Sequence, residues 1–186
     1  MQRTRTACVL VLCGAAIAGV LAGGASSART TGSKAVRSTL RDQRGLENAI
    51  VAQINRVRSE HGLPQVTRSL QLGAAAREHS DDMARFGYFG HPSHDGTPLQ
   101  KRLEHFFPVS TYRFWSVGET LLSSATSISG AASVRAWLAS PEHRRVLLDP
   151  TWRQIGISAV HDSSAPGVYG AREVTVVTAD FGTRTH

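Results

Sequence analysis

The sequence predicts an α+β fold with helices layered on a central sheet, and three observations carry that expectation. From about residue 45 onward, apolar residues recur at spacings of three and four, the period of helices that bury one face. Near residue 155 the period changes to alternation, with Ile155, Ile157 and Ala159 separated by polar or small neighbours. Residues 174–181 then form a β-branched apolar run suited to a strand covered on both faces. Helical segments followed by strands in one short chain point to a layered α+β structure.

The elements follow in order. Residues 1–28 begin with Arg3 and Arg5, continue through an apolar run from Ala7 to Ala22, and end in the small residues Ser26, Ser27 and Ala28, the layout of a secretory signal peptide. The apolar run is shorter than the roughly 20 residues a membrane-spanning helix needs, so removal after Ala28 is expected and no anchor in the mature chain. Residues 29–44 are rich in Ser, Thr, Arg and Lys without a sustained apolar period and read as a flexible basic linker. The domain is expected over 45–186. Leu46, Ile50, Ile54 and Val57 mark a first helix, stopped by Gly62, Leu63 and Pro64. A second is expected from about 69 to 86, with Leu72, Ala76, His79 and Met83 on one face and His79 read as a hydrogen-bonded core histidine. Thr97 and Pro98 read as the cap and first turn of a short helix carrying Leu99, Leu103 and Phe106 and ended by Pro108. A further helix is expected over about 127–139, with Ile128, Ala131, Val134 and Leu138 on one side and Trp137 beside them.

Composition narrows the chemistry. Both cysteines, Cys8 and Cys13, lie in the signal segment, and Leu12 before Cys13 argues against lipidation. The mature chain therefore has no disulfide framework, thiolate nucleophile or cysteine zinc site. Two of the 21 Lys and Arg residues leave with the signal, so 19 against 14 acidic residues gives a mature charge of +5. That balance can favour anionic cell-wall polymers, lipid headgroups or nucleic acid, although ordinary solubility is the first reading of it. No basic stripe interleaves with aromatics, so specific nucleic-acid binding is not expected.

Three stretches hold the polar residues suited to chemistry: His91, Ser93, His94, Asp95 and Gly96; then Gly118 and Glu119; then Ser140, Pro141, Glu142, His143 and Arg144. Imidazoles can bind a metal or shuttle a proton, and a carboxylate can orient them or complete a coordination sphere. Spacing alone does not bring His91, Glu119 and His143 together. His91 and His94 equally suit an exposed turn around Asp95 and Gly96, Glu119 a helix cap, and Ser140 and Pro141 the cap of a short turn holding His143. Ser93 reads as a turn serine, because no Gly-x-Ser-x-Gly elbow surrounds it. The His-Glu-x-x-His signature is absent.

In order, the chain carries Ile54, Asn55, Arg56 and Arg58 with Gly62 and Leu63; His79, Ser80, Asp82 and Met83; and Phe89 and His91 with Asp95, Gly96, Pro98, Arg102 and Leu103. Gly118 and Glu119, Trp137, Ser140 and Pro141, His143 and Arg144, Ile155 and Gly156, and Phe181 and Gly182 follow. So ordered, they resemble the CAP superfamily of cysteine-rich secretory, antigen 5 and pathogenesis-related 1 proteins, in its bacterial branch. The resemblance implies a single-domain α-β-α sandwich around a central, mainly antiparallel sheet. It also implies a cleft where His91, Glu119 and His143 bind a ligand and where His91 and His143 hold a divalent metal, zinc first among them. The chain departs from the pattern at Thr120, where asparagine is usual, at Ser140, where many members outside bacteria carry a second glutamate, and at Glu142, where glycine is usual; fewer acidic donors imply weaker metal binding.

The resemblance implies a secreted monomer, extracellular or cell-wall associated, whose cleft takes a divalent metal or small ligand. A metal-dependent hydrolase acting on an extracellular or cell-wall substrate, and a lipid or envelope-binding module, stand as alternatives. Catalysis is not assigned.

Overall fold

The protein is described by a computed structural model covering residues 40–109 and 112–186; the expected signal peptide lies outside the described residues. Strand β1 (Arg41–Asp42) leads into helix α1 (Arg44–Glu60), followed by β2 (Thr67–Arg68), α2 (Leu70–Phe86), α3 (Leu99–Phe106) and β3 (Phe114–Ser124). After these come α4 (Gly130–Ala139), α5 (Pro141–Leu147), β4 (Gln154–Ala165) and β5 (Arg172–Thr185). The sheet runs β1-β4-β5-β3, with the short β2 pairing β4 in parallel and every other pairing antiparallel.

Alternation along β5 sorts the layers, since successive strand side chains point to opposite faces. Val177, Ala179 and Phe181 join Ile155, Ile157 and Ala159 beneath α1, α4 and α5, whose Ile50, Ile54, Val134, Trp137, Val146 and Leu147 complete that core. On the opposite face Val174 and Val176 pack with Leu121, Val160 and the α2 residues Met83 and Ala84. Leu72 and Ala75 of α2 join Leu99 and Leu103 of α3 over Trp115 and Val117. The α-β-α sandwich follows from this arrangement. It also explains why β5 reads as an unbroken apolar run: both its faces are covered. At Gly156 a Cβ would stand 2.0 Å from the Leu72 carbonyl carbon, so α2 lies against β4 as only glycine permits.

Three expectations shift. The ordered fold reaches back before residue 45: Arg41 and Asp42, placed in the linker, pair with His161 and Val160, and Asp42 accepts an ion pair from Arg77 at 2.6 Å. Backbone pairing by a polar dipeptide leaves no apolar period to read. At α3, Pro98 occupies the cap position and no side chain caps the helix. Thr97 instead donates its N–H to Asp95 Oδ1 at 2.8 Å, closing the turn. Finally, Glu119 caps no helix; it lies in the middle of β3.

Candidate ligand site

His91 sits in the loop after α2, and two buried side chains clamp that loop. His79, on the inner face of α2, donates from Nε2 to the Gly90 carbonyl at 2.9 Å. Arg102, on the inner face of α3, donates from Nη1 to the next carbonyl, that of His91, at 2.7 Å. The expectation of a hydrogen-bonded core histidine at 79 therefore holds, and its task is to place His91. Burial, with the Arg102 charge assisting, pushes the His79 pKa down to about 3, so the ring is neutral at working pH.

Beneath the loop, β3 delivers Glu119 to the α2 and α3 face of the sheet. Its Oε1 accepts from His91 Nδ1 at 2.7 Å and its Oε2 pairs with Arg102 Nη2 at 2.5 Å. The register sets Glu119 opposite Asp180 of β5, and the two carboxyl groups meet. Glu119 is 1% exposed and Asp180 fully buried. Burial raises both carboxyl pKa values, Glu119 to about 7 against the pull of Arg102. Since Nδ1 of His91 faces a carboxylate oxygen, the proton lies on Nδ1 and Nε2 keeps its lone pair. Burial and the Arg102 charge also hold the His91 pKa below the usual range.

His143 arrives from the other face. Ser140 caps α5, its hydroxyl accepting from the His143 N–H while donating to Glu142 Oε2 at 2.8 Å. Trp152 seats α5 on the sheet: its Nε1 donates to the Val146 carbonyl at 2.7 Å, and its ring lies where a Cβ on Gly118 would be, 2.8 Å away. Gly118 and Glu119 thus serve opposite faces of β3, one taking α5 and the other taking His91. His143 is half-buried, and burial followed by the proximity of His91 lowers its pKa. The structure therefore joins His91 and Glu119 by a hydrogen bond and brings His143 near enough to His91 for their charges to interact. His94 is exposed and stacks on Phe86 at 4.0 Å, and Ser93 belongs to the turn, receiving a long contact from Arg102.

Sequence reasoning did not place Arg102 or Asp180 in the site. The available signals were an arginine at apolar spacing with Leu99, Leu103 and Phe106, and an aspartate inside an apolar strand run.

A zinc ion held by three protein side chains does not fit these donors. Both Glu119 oxygens are already engaged by Arg102 and His91, and the described residues contain no group of three His, Cys, Asp or Glu side chains placed to hold a metal. Two imidazoles, those of His91 and His143, are what remains, one fewer than the three protein ligands of catalytic zinc sites.

The histidine chemistry also fixes a pH response. Between pH 6.5 and about 3 the unfolded chain binds a proton at residue 79 that the native state refuses. Stability is therefore lost as pH falls through that window, by up to about 1.4 kcal/mol per pH unit from this group. Urea unfolding of wild type and His79→Gln at pH 7 and pH 5 reads this directly: the wild type should lose more stability on acidification than the variant. Equal losses would contradict the assignment.

Comparison with known proteins agrees with the geometry. The family model described as CAP, the cysteine-rich secretory protein family, matches residues 51–181. The uncharacterized membrane protein YlbC of Bacillus subtilis is 31% identical over 111 residues, 60% of this chain and 30% of the relative. The uncharacterized protein YkwD of the same organism is 29% identical over 119 residues, 63% of this chain and 44% of that protein. The chain thus matches less than half the length of these relatives. An extracellular protein containing an SCP domain from Bacillus anthracis superposes with a TM-score of 0.56 at 28% identity, over 74% of this chain and 40% of that one. An outer surface protein of Borrelia burgdorferi shares the fold with a TM-score of 0.62 at 20% identity, over 80% of this chain and 99% of that one. With its family model matched across the sandwich and across His91, Glu119 and His143 alike, the chain belongs to the CAP, or cysteine-rich secretory, protein family.

Proposed function

We propose that the protein is exported and acts outside the cytoplasm as a binding module whose cleft presents the neutral imidazoles of His91 and His143 to an envelope component bearing hydroxyl or amide groups. The observation that carries this is the Glu119 bond to His91 Nδ1, which leaves Nε2 as a fixed hydrogen-bond acceptor on a side chain that keeps 7% of its surface exposed. The basic charge favours encounter with anionic envelope polymers. No helix among the described residues is long and apolar enough to cross a membrane. The descriptions of the Bacillus anthracis and Borrelia proteins as extracellular and outer-surface support export.

Lipid capture has less support. Of the large exposed apolar side chains, Leu70 and Phe86 lie at opposite ends of α2, about 24 Å apart by helix rise, and so do not share one patch, while Val168, whose N–H donates to the Gly87 carbonyl at 2.8 Å, lies at the Phe86 end alone. Metal-dependent hydrolysis would need the third donor that Glu119 does not offer.

Histidine-selective NMR of residues 29–186, titrated with soluble peptidoglycan fragments, tests the reading. The expected result is a saturable shift of the His91 and His143 ring signals, weakened at least tenfold in affinity by His143→Ala. Unmoved rings at saturating ligand overturn it. Metal analysis forms the second arm: wild type, His91→Ala and His143→Ala should retain equal, substoichiometric zinc after dialysis. One equivalent in the wild type, lost in both variants, would assign the cleft to a metal instead.

A further inference from the structure

Glu119 accepts from two donors, yet its neighbour Asp180 accepts from none: neither Asp180 oxygen meets a nitrogen or hydroxyl donor, although the side chain is fully buried. A buried carboxylate without donors or a counter-ion is among the costliest groups a fold can hold. The charged and titratable groups that act on it are Glu119 from β3, Arg102 from α3 and His91 from the loop, while His79 of α2 stands 3.9 Å from Glu119 Oε2. Of these the one fixed cation is Arg102, and its Nη2 pairs with Glu119. One positive charge therefore faces two carboxyl groups set opposite each other in the β3–β5 ladder.

We infer that Asp180 is a protonated carboxylic acid in the folded protein and donates its O–H to Glu119, acting as a positioning residue that completes the cradle fixing His91. The proton resides on Asp180 because Glu119 takes hydrogen bonds from Arg102 and the His91 N–H that stabilise its negative charge, whereas Asp180 takes a hydrogen bond from neither. Like charges in one buried site cannot both ionise cheaply, and the partner with fewer donors keeps the proton. Burial first, and the neighbouring Glu119 charge second, push the Asp180 carboxyl well above the usual range. Glu119 is then held by three donors, Arg102, His91 and Asp180, so the tautomer of His91 depends on a residue that does not touch it. Only the side-chain network is required for this, whatever the cleft binds.

Infrared spectroscopy at pH 8.5, above the value of about 7 to which burial raises Glu119, tests the inference. The wild type should show the carbonyl stretch of one protonated, buried carboxyl group. That band should shift on ¹³C labelling of aspartate and stay on labelling of glutamate. It should vanish in Asp180→Asn. Because the asparagine amide can still donate to Glu119, the Asp180→Asn variant should keep the wild-type ¹⁵N shifts of the His91 ring, whereas Asp180→Ala should move them toward a mixture of tautomers. No protonated-carboxyl band in the wild type, or a band that follows glutamate labelling, overturns the proton's placement. Identical His91 shifts in wild type and Asp180→Ala overturn the positioning role, and a ¹⁵N displacement in Asp180→Asn as large as that in Asp180→Ala does the same.

Discussion

Replacing Arg102 by Met should destabilise the protein by about 3–5 kcal/mol at pH 7, the cost of removing one partner of a buried ion pair. Against a total stability of about 5–15 kcal/mol, that is a large fraction. Arg102 is 3% exposed, and three of its contacts disappear at once: the pair with Glu119, the bond to the His91 carbonyl, and the longer reach to Ser93. The sign of the pH dependence follows from what remains. Without the guanidinium, Glu119 and Asp180 stay neutral only by holding protons in the folded state. Unfolded carboxyls release theirs near pH 4. Above that pH the native variant binds more protons than its unfolded chain, so its stability falls as pH rises. Urea unfolding at pH 5 and pH 8 should show the deficit relative to wild type widening at the higher pH. A deficit below about 1 kcal/mol, or one independent of pH, would mean that Arg102 is not the counter-ion of this cluster. Arg102→Lys should not restore the wild type, because one ammonium does not reproduce the guanidinium fork that meets Glu119 and the His91 carbonyl together.

Trp137→Ala should cost about 3–5 kcal/mol through lost packing, with about 1–3 kcal/mol more where a buried carbonyl loses its donor. Trp137 is almost wholly buried in the core under α1 and α4, and its Nε1 donates to the Leu121 carbonyl at 2.9 Å. That carbonyl belongs to β3, which among the described residues ends the sheet and pairs with β5 alone. Trp137 thus ties down the outer strand two residues from Glu119. Trp137→Phe separates the two contributions, since it keeps most of the ring volume and loses the donor. It should cost roughly the hydrogen-bond part alone and shift the His91 ring signals, because β3 carries the carboxylate that orients them. Equal stability of Trp137→Phe and wild type would remove the edge-strand role.

The two variants mark where sequence and structure part. The helices of this protein were readable because each buries one face: Ile50, Ile54 and Val57 in α1 and Leu72, Ala76, His79 and Met83 in α2 are spaced as a helix requires, and the structure buries them. β5 was readable because both its faces are covered, which leaves an unbroken apolar run. Strand β3 was not readable. Its eleven residues include Ser116, Gly118, Glu119 and Thr120, all buried, so polarity in the sequence suggested a turn or a cap where the fold has an interior strand. Arg41 and Asp42 were missed for a related reason, since their strand is made of backbone pairing and an ion pair.

By itself, the sequence determined the α+β class, the positions of α1 to α4, and the family to which His91, Glu119 and His143 belong. Only the tertiary structure decided how those residues are placed and bonded. It committed both Glu119 oxygens to Arg102 and His91, set Asp180 opposite it through the β3–β5 register, and gave His79 and Arg102 the task of holding the loop. The physical reason is that helix and strand periods are local and survive in the order of residues. The charge state of a buried carboxyl or imidazole depends instead on which donors and cations the fold brings within a few ångströms, from elements as far apart in sequence as α2 and β5.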